Sequence, residues 1–462
     1  MKKHTVDMTR GSIMRHIIAF AIPVMIAGVL QTLYNAADTV VVGKFAGKEA
    51  LAAVGSTGSA IHLIIGVFIG LSSATNVIVA RKFGAGNKSG VSKAVHTAIA
   101  ACIAGGVILA VLGIAFCRKI LILMGSPDDV IDLATLYMRI YFAGIPVMLI
   151  YNFGSAVMRA VGDAKRPTYY LMGAGIINVS LNLLFVIVFK MSVAGVAIAT
   201  MIAQCVSAFL VLRSLIKTEE CFKLDIRKIK IHREELREMI TLGIPAGIQG
   251  SLFSLSNVII QSSVNSCGSD VIAGNSAAQS IEGMVYVAMN AFFHAVLTFT
   301  GQNLGAHNFG RIKRGFWTTF CIAAVFGFVL SQSVVLLSPV LLRMYTDSDV
   351  VIAFGELRIS IICASYFLCG IMEVAQGALR GLGVANRSMF TSLIGACGLR
   401  LLMTYIGAPY REAEDLKFLF YSYPISWIVT TIALMIFFFA IAKSREKKWN
   451  AHIQSKQDVQ VA

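Results

Sequence analysis

The chain contains an internal repeat that covers most of its length. The segment Arg159-Ala-Val-Gly-Asp-Ala-Lys-Arg166 returns as Arg380-Gly-Leu-Gly-Val-Ala-Asn-Arg387, with Arg, Gly, Ala and Arg matching at an offset of 221 residues. Gly84 and Asn87 also return as the same residue types at this offset. We therefore predict a fold of two similar halves. In a very apolar chain, such a repeat is typical of a transporter whose halves enclose a path between them.

The composition places this chain in a lipid bilayer. Of its 462 residues 57% are hydrophobic and only 14% are charged, and the mean hydropathy is +0.75, which is too apolar for a soluble globular protein. Apolar stretches of about 20 residues or more, each able to cross about 30 Å of hydrocarbon, follow one another with short polar breaks. We predict an all-α membrane protein with twelve transmembrane helices, at residues 17–42, 51–80, 94–116, 130–156, 168–189, 193–216, 237–264, 272–300, 315–338, 350–378, 388–408 and 416–442.

We attribute the net charge of +16 to the orientation of the chain in the membrane rather than to a nucleic-acid partner. Most of the 40 Lys and Arg lie in the two termini and in the loops that follow even-numbered spans. Positively charged loops stay in the cytoplasm, so we expect both termini to be cytoplasmic and the number of spans to be even. We expect the lipid bilayer as a partner and no nucleic acid.

The longest charged stretch divides the two copies. We predict an amino-terminal six-helix lobe at 1–216, a cytoplasmic linker at 217–236, a carboxy-terminal six-helix lobe at 237–442 and a cytoplasmic tail at 443–462. Residues 224–236 are expected to form a short amphipathic helix on the membrane surface. Because six spans return the chain to its starting side, both lobes have one orientation and are related by an axis along the membrane normal.

Polar side chains inside the spans are the main functional signal, because a charge at the centre of a span costs a few kcal/mol. Gln31, Asn35 and Asp38 are spaced four and three apart and therefore share one helical face. We interpret the acids Asp38 and Glu373 as functional, whereas the sequence leaves Glu282 open. Hydrogen bonding between helices is the interpretation that we favour for any single amide or hydroxyl. The other polar residues singled out are Asn178, Asn182, Thr200, Gln249, Asn257, Gln279, Tyr286 and Gln376.

An acid in a poorly solvated cavity can couple transport to an ion gradient in two ways. It can hold a proton on one side of the cycle and release it on the other. It can instead stay ionised and pair with Na⁺, helped by oxygen ligands such as those of Asn178, Asn182 and Thr200. No nucleotide-binding loop is present, and the nine Cys show no metal spacing. We expect no cofactor and no metal, with H⁺ or Na⁺ as the coupling ion and Asp38 as the position where Na⁺ would bind.

Several motifs together resemble the MATE (multidrug and toxic compound extrusion) family of antiporters, in particular its bacterial DinF-like branch. The resemblance covers essentially the whole chain. It rests on Pro23 followed by Gln31-Thr-Leu-Tyr-Asn-Ala-Ala-Asp38-Thr-Val-Val-Val-Gly43, on Asn178-Val-Ser-Leu-Asn182 with Gly195-Val-Ala-Ile-Ala-Thr200, on Gly301-Gln-Asn-Leu-Gly-Ala306, and on Met372-Glu-Val-Ala-Gln376 before Leu379-Arg-Gly-Leu-Gly383.

This resemblance implies two six-helix lobes in a V around a central cleft, which rock between inward-open and outward-open states and expel organic cations or drugs. It implies a monomer in the bacterial cytoplasmic (inner) membrane. Asp38 matches the main coupling carboxylate, Asn178, Asn182 and Thr200 match the polar positions around it, and Asn35 is placed with them. Glu373 matches the acid of the second lobe, and Glu282 is a further acidic candidate. The substrate-cleft candidates are Gln31, Tyr34, Gln249, Asn257, Gln279, Tyr286 and Gln376.

The chain also departs from the family pattern. Position 182 is Asn where many relatives have Asp, which weakens a tight Na⁺ site and favours H⁺ over Na⁺. The seventh span holds no acid, and Arg400 lacks the proline often found two residues later, which leaves its role open. Neither Asp38 nor Glu373 has an acidic counterpart in the other copy, so we expect the chemistry where the halves diverged.

Two other functions were weighed. A lipid-intermediate flippase of the same wider superfamily is the alternative, and it is expected to have a strongly cationic cleft. Away from the ends of the predicted spans, the Arg residues are Arg139, Arg358 and Arg400, which gives that alternative little support. An intramembrane enzyme is disfavoured, because none of the eight His has the spacing of a zinc-protease motif.

Overall fold

The computed structural model describes residues 5–125, 127–265, 268–407 and 417–461, and these ranges are almost entirely helical. The predicted all-α class is confirmed. Its α-helices are α1 Ile13–Phe45, α2 Lys48–Gly84, α3 Lys88–Leu123, α4 Asp128–Ala160, α5 Lys165–Leu183, α6 Ser192–Lys217, α7 Arg233–Asn265, α8 Ser269–Gly305, α9 Phe309–Leu336, α10 Ser338–Arg343, α11 Asp349–Arg358, α12 Tyr366–Gly381, α13 Ala385–Ser392, α14 Leu399–Gly407 and α15 Lys417–Val461.

The predicted number of membrane spans is also confirmed. Within the described ranges, eleven helices are long and apolar enough to cross a membrane, and a bent pair makes up to twelve. That pair is Asp349–Cys363 with Tyr366–Gly381, bent by 41°, and it covers the predicted span 350–378. The structure extends most of the predicted spans by a few residues at each end.

In the part of the chain that the structure describes, three spans contain a π-helical segment. Leu184–Val188 continues α5, Ile359–Cys363 joins α11 to the bend before α12, and Leu393–Gly398 joins α13 to α14. At the bend, the freed carbonyl of Ala364 accepts a hydrogen bond from Nε2 of Gln332 at 3.1 Å. A polar side chain of a neighbouring helix therefore satisfies a backbone group that the broken helix leaves open, as the bilayer interior requires.

The repeat recurs in the details of the backbone. Asn87 caps α3 by accepting a hydrogen bond from the N–H of Gly90, and Asn308 caps α9 in the same way through Arg311. The loop before each cap contains a residue with positive φ, which is Gly86 at 69° in the first copy but His307 at 54° in the second. Because the left-handed conformation costs a residue with a Cβ about 1–2 kcal/mol, other contacts must hold His307 there.

Packing divides the chain into two compact units. The first is formed by Ile26–Gly247 with the N-terminal residues up to Val6, and the second by Asp7–Met25 with Ile248–Ala462. The divisions thus fall inside α1 and α7. The lobes and linker predicted from the sequence, with the linker at 217–236, stay a prediction.

The linker is not the helix that we expected at 224–236. It contains a single 3₁₀ turn, Ile226–Lys228, and residues 229–232 are not helical before α7 begins. Tertiary hydrogen bonds replace the helical ones. The N–H of Asp225 is 3.1 Å from Nε2 of His96, and the N–H of His232 donates to Oγ1 of Thr97 at 3.0 Å. The β-branched residues of this stretch also disfavour a helix.

The last helix is longer than its predicted span. It continues past residue 442 to Val461. Nζ of Lys313 lies 2.6 Å from Oε2 of Glu446, and the imidazole of His307 stacks on the indole of Trp449 with 3.5 Å between ring centroids and an angle of 4°. The end of α15 therefore contacts the loop and helix that follow α8, and the stacking holds the left-handed His307.

Candidate functional site

Asp38 is held by residues from two other helices of the first unit. Oδ1 of Asp38 accepts a hydrogen bond from Nδ2 of Asn182, and Oγ1 of Thr200 donates to Oδ2 at 3.4 Å. Nδ2 of Asn178 donates to Oγ1 of Thr200 at 3.1 Å. Asn178 and Asn182 lie one turn apart on α5 and so share a face. The structure thus brings together the four residues that the sequence predicted as a cluster.

The hydrogen-bond donors around the carboxylate of Asp38 are neutral. Within the described ranges, no Lys, Arg or His forms an ion pair with Asp38. Oδ1 of Asn182, which is fully buried, has no hydrogen-bond donor among the described residues. An amide carries both a donor and an acceptor, so Asn182 can hydrogen-bond the ionised acid and, with its amide rotated, the protonated acid.

A small cavity lies against this cluster. Its volume is about 30 Å³, which holds roughly two water molecules and is far below the roughly 300–1,000 Å³ of a drug-sized pocket. The site therefore suits a proton, a water or a small ion. Its lining residues include Gln31, Tyr34, Asn35, Asp38, Asn178, Thr200, Gln204 and Ser207.

Two of the predicted cleft residues, Gln31 and Tyr34, line this cavity, and each makes a hydrogen bond with a nearby group. Nε2 of Gln31 donates to Oδ1 of Asn35, one turn further along α1, at 3.3 Å. The hydroxyl of Tyr34 donates to the carbonyl of Met172 at 3.3 Å. The ring of Tyr34 packs directly on Gly175, where an added Cβ would lie 1.8 Å from a ring carbon. The absence of a side chain at Gly175 therefore fixes the position of Tyr34 beside Asp38.

Sequence reasoning missed Gln204 and Ser207, which also line the cavity. Gln204 follows Thr200 by four residues on α6, so the two side chains share a face. That spacing was available in the sequence. The motif that resembles the antiporter family at this point ends at Thr200.

Glu373 occupies a separate polar cluster in the second unit. Its carboxylate is buried and accepts a hydrogen bond from Nδ2 of Asn290 at 3.3 Å. Arg380, two turns further along α12, donates to Oε1 of Gln249 at 2.6 Å and lies over the ring of Phe293. Gln249 is buried and acts here as the partner of an arginine.

Glu282 forms a buried ion pair with Arg358. The side chains are 5% and 4% exposed, and two hydrogen bonds of 3.0 and 2.7 Å join the guanidinium to the carboxylate. Arg358 also donates to Oδ1 of Asn275 at 2.7 Å, and Asn275 donates to Gln261 at 2.8 Å. With its carboxylate neutralised in this way, Glu282 has the environment of a structural group.

Arg400 is a buried cation with an aromatic environment. Its guanidinium lies 4.0 Å from the ring centroid of Tyr423 and 5.9 Å from that of Trp427, and it donates to Oγ of Ser426 at 3.2 Å. The guanidinium of Arg358 lies 5.6 Å from the same Tyr423 ring. Tyr423 on α15 therefore contacts two arginines, each at the edge of a π-helical segment.

The remaining predicted cleft residues are dispersed over the second unit. The side chains of Asn257, Gln279 and Tyr286 are exposed, on α7 and α8. Gln376 is buried and donates to Oγ of Ser392 at 2.8 Å. The role of these residues in substrate binding stays a prediction.

The repeated membrane-spanning helices, with a cluster of polar groups inside the spans, define a multi-pass membrane transporter. The chain belongs to the MatE family, whose model matches it twice, at residues 23–184 and again at 245–406. This double match confirms the repeat and the family that the motifs resemble. Proteins of this family are transporters, so the chain is a transporter and not an enzyme.

Relatives and solved structures agree with this assignment. The chain is 27% identical to the probable multidrug resistance protein YoeA of Bacillus subtilis over 96% of this chain and 97% of that protein. It is 24% identical to an FAD transporter of Shewanella oneidensis over 91% and 93% of the two chains. An outward-facing multidrug resistance MATE transporter superposes with a TM-score of 0.90 at 22% identity, over 97% of this chain and all of that chain. The last comparison confirms the fold.

Proposed function

We propose that the chain is a proton-coupled antiporter that exports organic cations or drugs, with Asp38 as the main coupling carboxylate. The supporting observation is the environment of Asp38, where a carboxylate inside a span is held by neutral donors beside a water-sized cavity. Intramembrane acids mark ion pathways and proton relays. The cavity is too small for a drug, which supports the binding of an ion rather than of the substrate at Asp38.

The neutral partners of Asp38 favour a proton over Na⁺. A tight Na⁺ site gathers several oxygen ligands and balances its charge with carboxylates. Here a single carboxylate is present, with Asn178, Asn182 and Thr200 around it. Protonation by itself switches the charge of this site. Alternating access then links the protonation of Asp38 to the release of substrate.

The exported compounds are the second part of the proposal. The relative YoeA is named a probable multidrug resistance protein, and an organic cation fits the negative charge of Asp38. The relative from Shewanella oneidensis transports FAD, an anion. Assays should therefore offer both ethidium and FAD. The flippase alternative has less support, because Arg358 is neutralised by Glu282 and does not add a free positive charge.

The proposal also covers the orientation of the chain in the membrane and its oligomeric state. From the distribution of Lys and Arg we infer that both termini face the cytoplasm of a bacterial cell. We infer a monomer and a two-lobed cleft from the resemblance alone.

The test uses purified protein in proteoliposomes loaded with ethidium, with an imposed H⁺ or Na⁺ gradient, each varied alone. We expect the H⁺ gradient to drive transport and Asp38→Asn to abolish it. Asp270→Asn, which neutralises an acid in the first turn of α8, is the matched control and should transport normally. Transport by Asp38→Asn at the wild-type rate would overturn the proposal.

A further inference from the structure

A second cavity lies on the other side of Thr200 from Asp38. It is located between α4 and α6, has a volume of about 20 Å³ and is lined on α4 by Tyr141 and Met148 and on α6 by Ala197 and Met201. This volume holds roughly one water molecule. Thr200 and Gln204 line this cavity and also the cavity at Asp38.

Thr200 and Gln204 therefore form the wall between the two cavities. They lie one turn apart on α6, and the residues on either side of them face different cavities: Ala203 and Ser207 line the Asp38 cavity, whereas Ala197 and Met201 line the second one. Thr200 and Gln204 are the two residues that the cavities share, so a rotation of the Gln204 side chain would change the connection between them.

Gln204 also carries a free hydrogen-bonding group at this wall. Its Oε1 is buried and has no donor among the described residues. A buried carbonyl without a partner costs about 1–3 kcal/mol, and an ordered water usually satisfies such a group. Oγ1 of Thr200 and the hydroxyl of Tyr141, whose contact with Met148 is a weak one at 3.8 Å, can supply the other partners of that water.

We propose that Gln204 positions a water between the two cavities, and that this water gives protons a route to Asp38 between α4 and α6, apart from the face lined by Gln31 and Tyr34. The inference rests on the proposed proton coupling. A proton arriving on the water passes to Oγ1 of Thr200 while the hydroxyl proton of Thr200 passes to Oδ2 of Asp38. The water is left neutral, the hydroxyl is restored and Asp38 gains one proton.

The experiment compares two kinds of transport in proteoliposomes. Ethidium transport driven by a pH gradient requires proton movement, whereas exchange of internal for external ethidium does not. We expect Gln204→Leu, which keeps the size of the side chain but removes the amide, to slow gradient-driven transport about tenfold and to leave exchange unchanged. Transport in D₂O should be slowed further in Gln204→Leu than in the wild type, because proton transfer becomes rate-limiting.

Two further variants distinguish loss of the proton route from a general effect of altered packing. Cys205→Ala removes an exposed thiol next to Gln204 on α6, lines neither cavity and should behave as the wild type. Met201→Phe fills the second cavity without touching Asp38, and we expect it to reproduce the effect of Gln204→Leu. Wild-type gradient-driven rates in both Gln204→Leu and Met201→Phe would overturn the route, as would an equal loss of gradient-driven transport and exchange. Failure of proton coupling itself is distinguished by the wild type, in which an imposed H⁺ gradient would then drive no ethidium transport.

Discussion

Asn182 donates a hydrogen bond from its amide to the carboxylate of Asp38, although the two residues are 144 positions apart in the chain. This contact joins α5 to α1 within the first unit. It also places a neutral amide, rather than a second acid, beside the carboxylate of Asp38. The chemistry of the site therefore depends on whether position 182 carries a charge.

We expect Asn182→Asp to introduce Na⁺ dependence. The substitution places two carboxylates beside the oxygens of Asn178 and Thr200, and hard cations prefer such a set of ligands. Na⁺-driven ethidium transport in proteoliposomes should appear in the variant, at constant pH on both sides of the membrane. Asn182→Leu serves as the control, because it removes the hydrogen bond without adding charge. If Asn182→Asp responds to Na⁺ no more than the wild type does, the ligand argument is wrong.

We expect Gly175→Ala to impair transport although it adds a single methyl group. The new Cβ would lie 1.8 Å from the ring of Tyr34, so Tyr34 must leave its place beside Asp38. A decrease of about tenfold in the ethidium transport rate is anticipated, equivalent to ~1.4 kcal/mol. Gly173→Ala, two residues away on the same helix, meets no atom within 4 Å and should transport normally. Equal rates for the two variants would show that the position of Tyr34 is unimportant.

We expect the Glu282–Arg358 pair to behave as a structural unit. Glu282→Leu leaves the buried Arg358 without its counter-charge, and loss of one partner of a buried pair typically costs about 3–5 kcal/mol. Glu282→Leu and Arg358→Met should therefore each lower the melting temperature of the protein in detergent. The double variant should recover most of the loss, because it buries no unpaired charge. Additive losses in the double variant would contradict this interpretation.

We expect contact between the end of α15 and His307 to weaken at acidic pH. Burial lowers the pKa of His307, which lies in the loop between α8 and α9, so the folded protein favours the neutral imidazole. The unfolded chain then binds the proton more readily, and stability rises with pH. The contribution of His307 is complete above its ordinary pKa of about 6.5 and is lost as the pH falls through the lower folded-state value.

Fluorescence of Trp449 measures this change. A variant in which Phe replaces the other two tryptophans, Trp317 and Trp427, should show an emission change between about pH 7 and pH 5. Replacing His307 by Phe in that background keeps a ring to stack on the indole and should abolish the pH dependence. A pH response that persists without the imidazole would assign it to another group.

The spans could be predicted from the sequence because they depend on local hydrophobicity, and the repeat because whole segments recur. The Asp38 cluster could be predicted because its motifs resemble those of a known family. Asn178 and Asn182 share a face whatever surrounds them. The partners of the other polar residues could not be predicted. Gln249 accepts a hydrogen bond from Arg380, and Glu282 forms an ion pair with Arg358, which is 76 residues away in the sequence. Such pairs depend on which helices pack together, and one chain without aligned relatives does not reveal that.

The linker shows a second limit of sequence reasoning. Its charge pattern suits an amphipathic helix, but His96 and Thr97 on α3 offer hydrogen-bond partners to its backbone. Propensity is a weak prior, and tertiary contacts override it here. The π-helical segments could not be predicted either, because their composition is that of an ordinary apolar span.

The length of α15 has a practical consequence for experiments on this transporter. Its 45 residues make a rod of about 68 Å at 1.5 Å per residue, more than twice the hydrocarbon thickness of about 30 Å. The helix is still continuous at Val461, so a rigid marker protein can be fused after that residue in unbroken helical register. Such a fusion would give this small, nearly featureless particle a fixed landmark for image alignment in electron microscopy.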